Sequence, residues 1–205
     1  MTVLIKYPKQ TKKTTEDFFK RKDQELTNLD WAKWAGWFDT DGSFSSVYHT
    51  NHKARCNQEA RMKLKDRYPV ELFSKIFESS LCYREFKTIT PEPYRKEYLA
   101  QIHEAILYGP RAVWFTKNVF PYLIKEEKKD FEDWTPNEVT YYLGTAIDGD
   151  GSVQIQASTR SKTIRIDICS SDTQYLANIV AIGANKLNLV SSFKKFAEHK
   201  TERGI

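Results

Sequence analysis

Two stretches late in the chain alternate strictly between apolar and polar residues. In "SVQIQAS" and "TIRIDICS" the apolar side chains share one parity and the polar side chains the other. Because successive side chains of a strand point to opposite faces, this pattern predicts a β-hairpin with one buried and one polar face. We expect the buried face to hold Val153, Ile155, Ala157, Ile164, Ile166 and Ile168.

A weaker version of the same pattern occurs early in the chain. "SFSSVYHT" is followed by "EARMKLK", in which Met62 and Leu64 alternate with Arg61, Lys63 and Lys65. This pattern predicts a second hairpin, less regular than the first.

A segment with helical capping signals precedes each hairpin. "TNLDWAKWAGWFDTDG" predicts a helix with Asp30 as N-cap that ends at Gly42. "TPNEVTYYLGTAIDGDG" predicts a helix with Thr135 as N-cap, a capping box completed by Glu138, and Gly151 past its end.

The remaining segments give both parts of the chain the same order of elements. Helices "PVELFSKIFESS" and "TQYLANIVAIGANKL" follow the two hairpins, and the first part continues with strands "LCYREFKTI" and "KEYLAQIHEAI" and a closing helix "PRAVWFTKNVFPYL". The prediction is an α+β protein of two αββαββα repeats. We place an N-terminal extension with a short polar helix at 1–27, the first repeat at 28–132, and a second, incomplete repeat at 133–205.

The composition indicates a folded protein with acidic partners. The chain has 205 residues, of which 40% are hydrophobic, and a formal net charge of +5, which favours nucleic acid only weakly. No stretch is apolar enough for a signal peptide or a membrane span, and the three scattered cysteines predict reduced thiols. We expect an intracellular protein, in the cytoplasm of a bacterium or phage host or in an organelle.

The two predicted helix ends spell the same short motif. "WFDTDGSF" at 37–44 and "AIDGDGSV" at 146–153 match at both acids and at the Gly-Ser pair. The second acids, Asp41 and Asp150, stand at helix C-termini, where the helix dipole disfavours anions. A cation removes that penalty, and carboxylate oxygens suit Mg²⁺. Two such ends side by side would form a two-metal site for phosphodiester chemistry.

Small residues would allow the two helices to approach closely. A helix stop with a solvated acid pair would explain one copy, but two copies in matched context disfavour it. A calcium loop is disfavoured because no glutamate follows at the required spacing. The small residues are Ala32, Ala35, Gly36 and Thr40 in the first helix, and Gly144, Thr145, Ala146 and Gly149 in the second.

At these residues the sequence resembles the LAGLIDADG homing endonuclease family. "WAGWFDTDG" at 34–42 and "LGTAIDGDG" at 143–151 align with the family's motif without gaps. "LKDRYPVELFSKI", "SSDTQYLANI" and "YGPRAVWFTKNVFPYLIKEEKK" also resemble family segments, so the similarity extends from about residue 30 to the C-terminus. The copies depart from the motif at Trp34, Trp37, Phe38, Gly144 and Thr145.

The resemblance implies a monomer with internal pseudo-two-fold symmetry that binds double-stranded DNA. Two motif helices would pack at its centre, and curved antiparallel sheets would form a saddle in the major groove. Asp41 and Asp150 would bind Mg²⁺ together with the carbonyls of Thr40 and Gly149. Mn²⁺ or Ca²⁺ could occupy the same site, Ca²⁺ without turnover. Hydrolysis of both strands at a long asymmetric site would leave 3′ overhangs.

The family's other functional residues are carried over less directly. Asp39 and Asp148 would hold the helix ends. Lys65 is the candidate auxiliary catalytic residue of the first repeat, although an exposed lysine at a strand end is an equally good interpretation. Ser170, or its neighbour Ser171, is the candidate in the second repeat, and Arg111 before the closing helix is a candidate DNA contact.

Residues that share parity with the metal acids are expected to face the bases. Arg, Gln and Asn can form bidentate hydrogen bonds to guanine or adenine, and Asp can accept one from cytosine. The alternative is an ordinary solvated sheet face. The candidates are Ser43, Ser45, His49, Asn51, Arg61 and Lys63 in the first repeat, and Ser152, Gln154, Gln156, Ser158, Arg165 and Asp167 in the second.

Two other functions compete with a nuclease. A haloacid-dehalogenase-type phosphatase also uses an Asp-x-Asp-Gly motif, with the first acid, here Asp39, as nucleophile. That motif must follow a buried strand and occur once, which the helical context and the second copy disfavour. An RNA-splicing maturase, or a DNA-binding protein with weakened catalysis, would keep the fold and change the chemistry.

Overall fold

The structure, a computed structural model, describes residues 3–5, 12–48, 56–89, 97–125, 131–157 and 162–189. Helices and antiparallel strands alternate along the chain, which confirms the α+β prediction. The strands are β1 (Val3–Ile5), β2 (Gly42–Tyr48), β3 (Cys56–Leu64), β4 (Ser80–Ile89), β5 (Glu97–Tyr108), β6 (Gly151–Ala157) and β7 (Lys162–Ile168). The helices are α1 (Lys12–Glu25), α2 (Asn28–Thr40), α3 (Arg67–Phe77), α4 (Pro110–Val119), α5 (Pro136–Asp150) and α6 (Thr173–Leu187).

The strands form two antiparallel sheets of unequal size. One has five strands in the order β1-β4-β5-β3-β2, and the other consists of β6 and β7. The hairpins after the two motifs pair in the same register, because Ser43 lies opposite Arg61 and Ser152 lies opposite Asp167. Each motif therefore leads into an equivalent hairpin, as the sequence predicts.

Capping residues set the ends of the motif helices. Helix α5 begins at the predicted N-cap Thr135, whose hydroxyl accepts a hydrogen bond from the Glu138 amide. Helix α2 begins three residues earlier than predicted, with Thr27 as N-cap, and the Thr27 amide donates to Asp30. Asp30 therefore occupies the N3 position of a capping box. An acidic side chain suits this position as well as the N-cap position, so the sequence alone did not distinguish the two.

The predicted N-terminal extension is part of the first repeat's structure. Strand β1 pairs with β4 at one edge of the five-stranded sheet. Phe18 of α1 is buried, and its ring packs edge-on against Trp114 of α4. Phe18 lies in a helix that is rich in charged residues, so the sequence alone did not indicate that this helix packs against the first repeat.

Aromatic residues form the core of the first repeat. Trp34 of α2 contacts Phe73 and Phe77 of α3, with ring centroids 5.4 and 5.2 Å apart. Phe38 packs on Phe115 of α4 at 4.8 Å. These helices cover the sheet face that carries the fully buried Met62. The motif helix is therefore held rigidly against its own half of the molecule.

The second hairpin differs from the prediction of one buried face. Val153, Ile155, Ile164 and Ile166 are all exposed, Ile155 to 75%. They form a ladder of cross-strand pairs, Val153 with Ile166 and Ile155 with Ile164. In the first repeat α3 and α4 cover the equivalent face, whereas no helix among the described residues covers this one.

The second helices of the two repeats also end alike. Helices α3 and α6 both terminate in a left-handed residue, Glu78 with φ of 50° and Asn188 with φ of 53°. The strand predicted after α6 lies outside the described residues. Among the helices of the described part of the chain, none combines the length and apolarity needed to cross a bilayer.

Candidate metal centre and nucleic-acid interface

The motif helices α2 and α5 pack directly against each other. The Thr145 hydroxyl donates a 2.7 Å hydrogen bond to the Lys33 carbonyl across the interface. A Cβ added to Gly36 would lie 2.2 Å from Thr145 Oγ1, and one added to Gly149 would lie 2.0 Å from Thr40 Oγ1. Only glycine fits at either position. Gly144, predicted to share this interface, lies instead on an exposed side of α5 with open space around it.

Asp41 and Asp150 meet where these helices end. A Cβ on Gly149, next to Asp150, would lie 2.6 Å from Asp41 Oδ2, so the two helix ends are in contact. Asp41 Oδ2 is buried and has no hydrogen-bond partner among the described residues. Burial raises the pKa of Asp41, and the negative charge of Asp150 raises it further. Burial also raises the pKa of Asp150.

This arrangement fits a divalent cation. Two carboxylates share one region, one has an orphaned buried oxygen, and both sit at the negative ends of helix dipoles. A cation would satisfy that oxygen and offset the repulsion. Within the described residues there is no cluster of three or more His, Cys, Asp or Glu side chains that could hold a metal. Remaining ligands would therefore come from carbonyls, such as the predicted Thr40 and Gly149, or from bound molecules.

The first acid of each motif copy has a different environment. Asp39 is 4% exposed and accepts hydrogen bonds from the Tyr142 hydroxyl at 2.6 Å and from the Ile124 amide at 2.7 Å. Burial, partly offset by these bonds, raises the pKa of Asp39 to about 6. Asp39 thus ties α2 to α5, in line with the predicted structural role. Asp148, its counterpart, is exposed.

Lys125 is a site residue that the sequence did not single out. Its ammonium group donates a 3.0 Å hydrogen bond to the Asp39 carbonyl, and its positive charge lowers the pKa of both Asp41 and Asp150. The preceding Ile124 is held from both sides, by Asp39 at its amide and by Asn178 of α6 at its carbonyl. The sequence showed only a lysine-rich stretch at 125–129, in which nothing distinguished Lys125 from its neighbours.

The register of the five-stranded sheet places several predicted base-reading residues on one face. Ser43 and Ser45 of β2 share the face opposite α3 and α4 with Arg61 and Lys63 of β3. Ser43, Ser45 and Lys63 are exposed, and Arg61 is partly exposed. His49 and Asn51 lie outside the described residues.

The second hairpin presents an equivalent polar face. Ser152 and Gln154 of β6 are exposed and lie opposite Asp167 and Arg165 of β7. Arg165 forms an ion pair with Asp167 at 2.9 Å. The side chain of Gln156 and the whole of Ser158 lie outside the described residues. Each motif acid is therefore followed by a polar sheet face that starts at the helix end.

The predicted auxiliary residues occupy different kinds of position. Lys65 is exposed just after β3. Ser170 lies in the turn before α6, where its hydroxyl accepts a hydrogen bond from the Asp172 amide at 3.1 Å. Among the contacts of the described residues, none joins Lys65 or Ser170 to Asp41 or Asp150, so their catalytic roles stay predictions.

The predicted DNA contact of Arg111 does not fit the structure. Its side chain is buried, donates to Glu78 Oε2 at 3.1 Å and lies 4.1 Å above the Phe18 ring. These contacts fix α1, α3 and α4 together on the helical side of the sheet. Arg111 therefore has a packing role, since its guanidinium faces the core and not the polar face.

The position of Asp39 also excludes the phosphatase alternative. A nucleophilic aspartate of that class must follow a buried strand and reach its substrate. Asp39 lies in the last turn of α2, and its carboxylate is enclosed by Tyr142, Ile124 and Lys125. Asp39 therefore cannot attack a bound phosphate ester.

Comparison with solved structures finds several partial matches at low sequence identity. The LAGLIDADG meganuclease I-CpaMI bound to uncleaved DNA is 13% identical with a TM-score of 0.37, over 69% of this chain and 68% of that one. The homing endonuclease I-GzeII in complex with its DNA target is 12% identical with a TM-score of 0.39, over 69% and 64%. The meganuclease I-SmaMI bound to uncleaveable DNA is 10% identical with a TM-score of 0.43, over 76% and 72%.

This chain thus spans about two thirds of the length of I-CpaMI and slightly less of I-GzeII. No protein-family model matches the sequence. No curated protein matches it either.

Proposed function

We propose that this chain is a metal-dependent endonuclease that binds double-stranded DNA and hydrolyses one phosphodiester in each strand. The observation that carries the proposal is the pair of acids at the adjoining ends of α2 and α5. Asp41 has a buried, unpaired oxygen and lies in the field of Asp150. Left alone, this pair is electrostatically unfavourable, and a divalent cation relieves it.

The chain's own groups define how such a site would work. Mg²⁺, when bound, would supply Lewis acidity and lower the pKa of an attacking water. Asp41 and Asp150 would hold it, with the carbonyls of Thr40 and Gly149 as additional ligands. Lys125 places a positive charge beside both acids, where it would attract a phosphate oxygen.

The position of the two hairpins supports DNA as the substrate. Each polar face begins directly after a metal acid, so a duplex lying on both faces would pass over the site. The faces differ, with Arg61 and Lys63 on one and Arg165 and Asp167 on the other. Unlike side chains read unlike bases, so the target would be long and asymmetric. Two acids that serve opposite strands suit a monomer and a staggered cut with 3′ overhangs.

Selection of cleaved sites from a random duplex library with Mg²⁺ tests this function. Wild-type protein should yield a defined site cut on both strands. Asp41→Asn and Asp150→Asn should each lower cleavage by at least about 100-fold, because each removes charge that stabilises the transition state. Both variants should still bind the selected duplex when Ca²⁺ replaces Mg²⁺.

Asp148→Asn is the matched control, since it alters an exposed acid of the same motif. Its cleavage rate should stay close to that of wild type. Unchanged cleavage in both Asp41→Asn and Asp150→Asn would refute the metal assignment. An affinity for DNA that does not fall as salt rises would refute duplex binding, because phosphate contacts release counterions.

A further inference from the structure

Four charged residues on three neighbouring strands share the proposed DNA face of the five-stranded sheet. Glu59 and Arg61 lie on β3, Glu104 on β5 and Arg84 on β4. Residues directly opposite each other on neighbouring strands share a face, and so do alternate residues of one strand. Lys63 lies opposite Glu104, and Glu104 lies opposite Cys82. All four charged residues therefore lie on the sheet face opposite α3 and α4. We call them the charged cluster.

The acids of the charged cluster lie beneath its arginines. Glu59 and Glu104 are only 6% and 3% exposed, although none of the described helices covers the face on which they stand. The side chains of Arg61 and Arg84 are 39% and 61% exposed. The guanidinium groups therefore shield the carboxylates from water. A carboxylate buried in this way must keep its partner, since an unpaired buried charge is strongly unfavourable.

Arg61 is held at two points by different acids. Its Nη2 lies 3.1 Å from Glu59 Oε2, and its Nη1 lies 3.1 Å from Glu104 Oε1. The second oxygen of Glu104 binds Arg84 Nη2 at 3.4 Å. The two ion pairs engage both terminal nitrogens of the Arg61 guanidinium and so fix the orientation of its plane. Its remaining N–H donors therefore have fixed directions.

The charged cluster has no net charge, because two acids balance two arginines. It therefore adds little attraction for phosphates, which depends on net positive charge. Its effect on DNA is geometric. A guanidinium in a fixed plane can match the two acceptors of a guanine edge and mismatches other bases.

We propose that Glu59 and Glu104 are positioning residues that orient Arg61 and Arg84 and so set the base preference of this face. The proposal rests on the nuclease function proposed above, since it needs DNA on that face. Arg61 would contact a guanine in the major groove. Neither acid would touch the DNA, and each would act through the arginine it holds.

Selection of bound sites from a random duplex library, with Ca²⁺ present, tests the proposal. Arg61→Ala should lose the guanine preference at one position of the wild-type site. Glu104→Gln should relax the same position by about tenfold or more, the size of one bidentate contact. Its affinity for non-specific duplex should not fall, because the change removes a negative charge from the DNA face. Arg61→Lys, which keeps the charge without the planar fork, should keep the non-specific affinity and lose the preference.

Glu71→Gln is the matched control, because Glu71 pairs with Arg67 on α3, on the helical side of the sheet. It should leave the base preference unchanged. If Glu104→Gln folds poorly, as a melting temperature far below wild type would show, Glu59→Gln tests the other ion pair that holds Arg61.

The outcomes separate this proposal from the nuclease proposal. A wild-type protein that selects no site at all would overturn the DNA function. A wild-type protein that selects a site, with Glu104→Gln and Glu59→Gln keeping the same preference at every position, would overturn only the positioning role. A changed preference only at positions that neither Arg61→Ala nor Arg84→Ala affects would likewise contradict it.

Discussion

Asp39 and Asp148 hold equivalent places in the two motif copies, but only Asp39 is enclosed by the protein. It accepts hydrogen bonds from Tyr142 and Ile124 and connects α2, α5 and the segment that carries Lys125. Burial outweighs these hydrogen bonds in their effect on its pKa. Because Asp39 is buried, its ionised form loses contact with water. The free energy of unfolding therefore depends on pH.

The stability of the metal-free protein should therefore depend on pH through Asp39. Its pKa is about 6 in the folded chain and 3.8 by the reference value. The stabilising contribution of its bound proton is complete below pH 3.8 and is lost as pH rises through 6. From pH 4 to 7, the loss amounts to about 2 kcal/mol. Asp39→Asn cannot ionise and should lack this part of the decline.

Urea denaturation of both proteins in EDTA, at several pH values, measures this difference. Asp148→Asn is the control and should follow the wild-type profile, because that acid is exposed. Parallel profiles for wild type and Asp39→Asn would show that burial does not shift the pKa of Asp39.

At the scale of elements, the contact between α2 and α5 brings the acids together. Gly36 and Gly149 allow backbone approach, and Thr145 spans the interface with a hydrogen bond to Lys33. Repeated small residues in the sequence predicted this contact, and duplication of the motif predicted which ends would meet. The sequence could not show which side of α5 faces α2, so Gly144 was assigned wrongly.

Gly36→Ala and Gly144→Ala form a matched pair for testing this interface. A Cβ on Gly36 would lie 2.3 Å from the Tyr142 carbonyl oxygen, which is backbone and can move only with its helix. We expect a loss of about 1–3 kcal/mol in the free energy of unfolding. Gly144→Ala meets no atom within 4 Å and should gain up to about 1 kcal/mol through helix propensity.

Urea unfolding of both variants distinguishes the two sites. Equal effects of the two substitutions would mean that α2 and α5 do not pack as closely as the glycines indicate. Gly36→Ala should also lower cleavage, because separating the helices separates Asp41 from Asp150.

At the scale of the whole molecule, the two halves share an order of elements but not a degree of burial. Ala60 of the first hairpin is fully buried beneath α3 and α4, whereas Ile166 at the equivalent position of the second is 54% exposed. The alternating pattern of the second hairpin is the cleaner of the two in the sequence. Periodicity predicted its strands correctly, but it could not predict burial, which depends on what other elements cover the face.

Threonine substitutions should reveal this inequality. Met62→Thr should cost at least about 2 kcal/mol, because it leaves a cavity and buries a hydroxyl. Ile155→Thr should change the free energy of unfolding by no more than about 0.5 kcal/mol, since it keeps strand propensity at an exposed position. Thermal and urea unfolding measure both. A large loss for Ile155→Thr would show that its face is covered in solution.

Features that depend on neighbouring residues could be predicted from the sequence. Capping boxes, strand alternation and the repeated acids located the helices, the hairpins and the candidate metal ligands. Contacts between distant segments could not be predicted in this way. The docking of α1 through Phe18, the enclosure of Arg111 and the placing of Lys125 beside Asp41 all depend on contacts between residues far apart in the chain.

The long reach of the helix contact also has a consequence during synthesis. Asp39 meets Tyr142 and Lys33 meets Thr145 across more than half of the chain's length, so neither contact can form until α5 has been made. The first half, with its own sheet and aromatic core, can fold earlier as the chain emerges. Such an unfinished chain holds Asp41 without Asp150. On the proposed function, it would lack one of the two metal-binding acids and would not cut DNA.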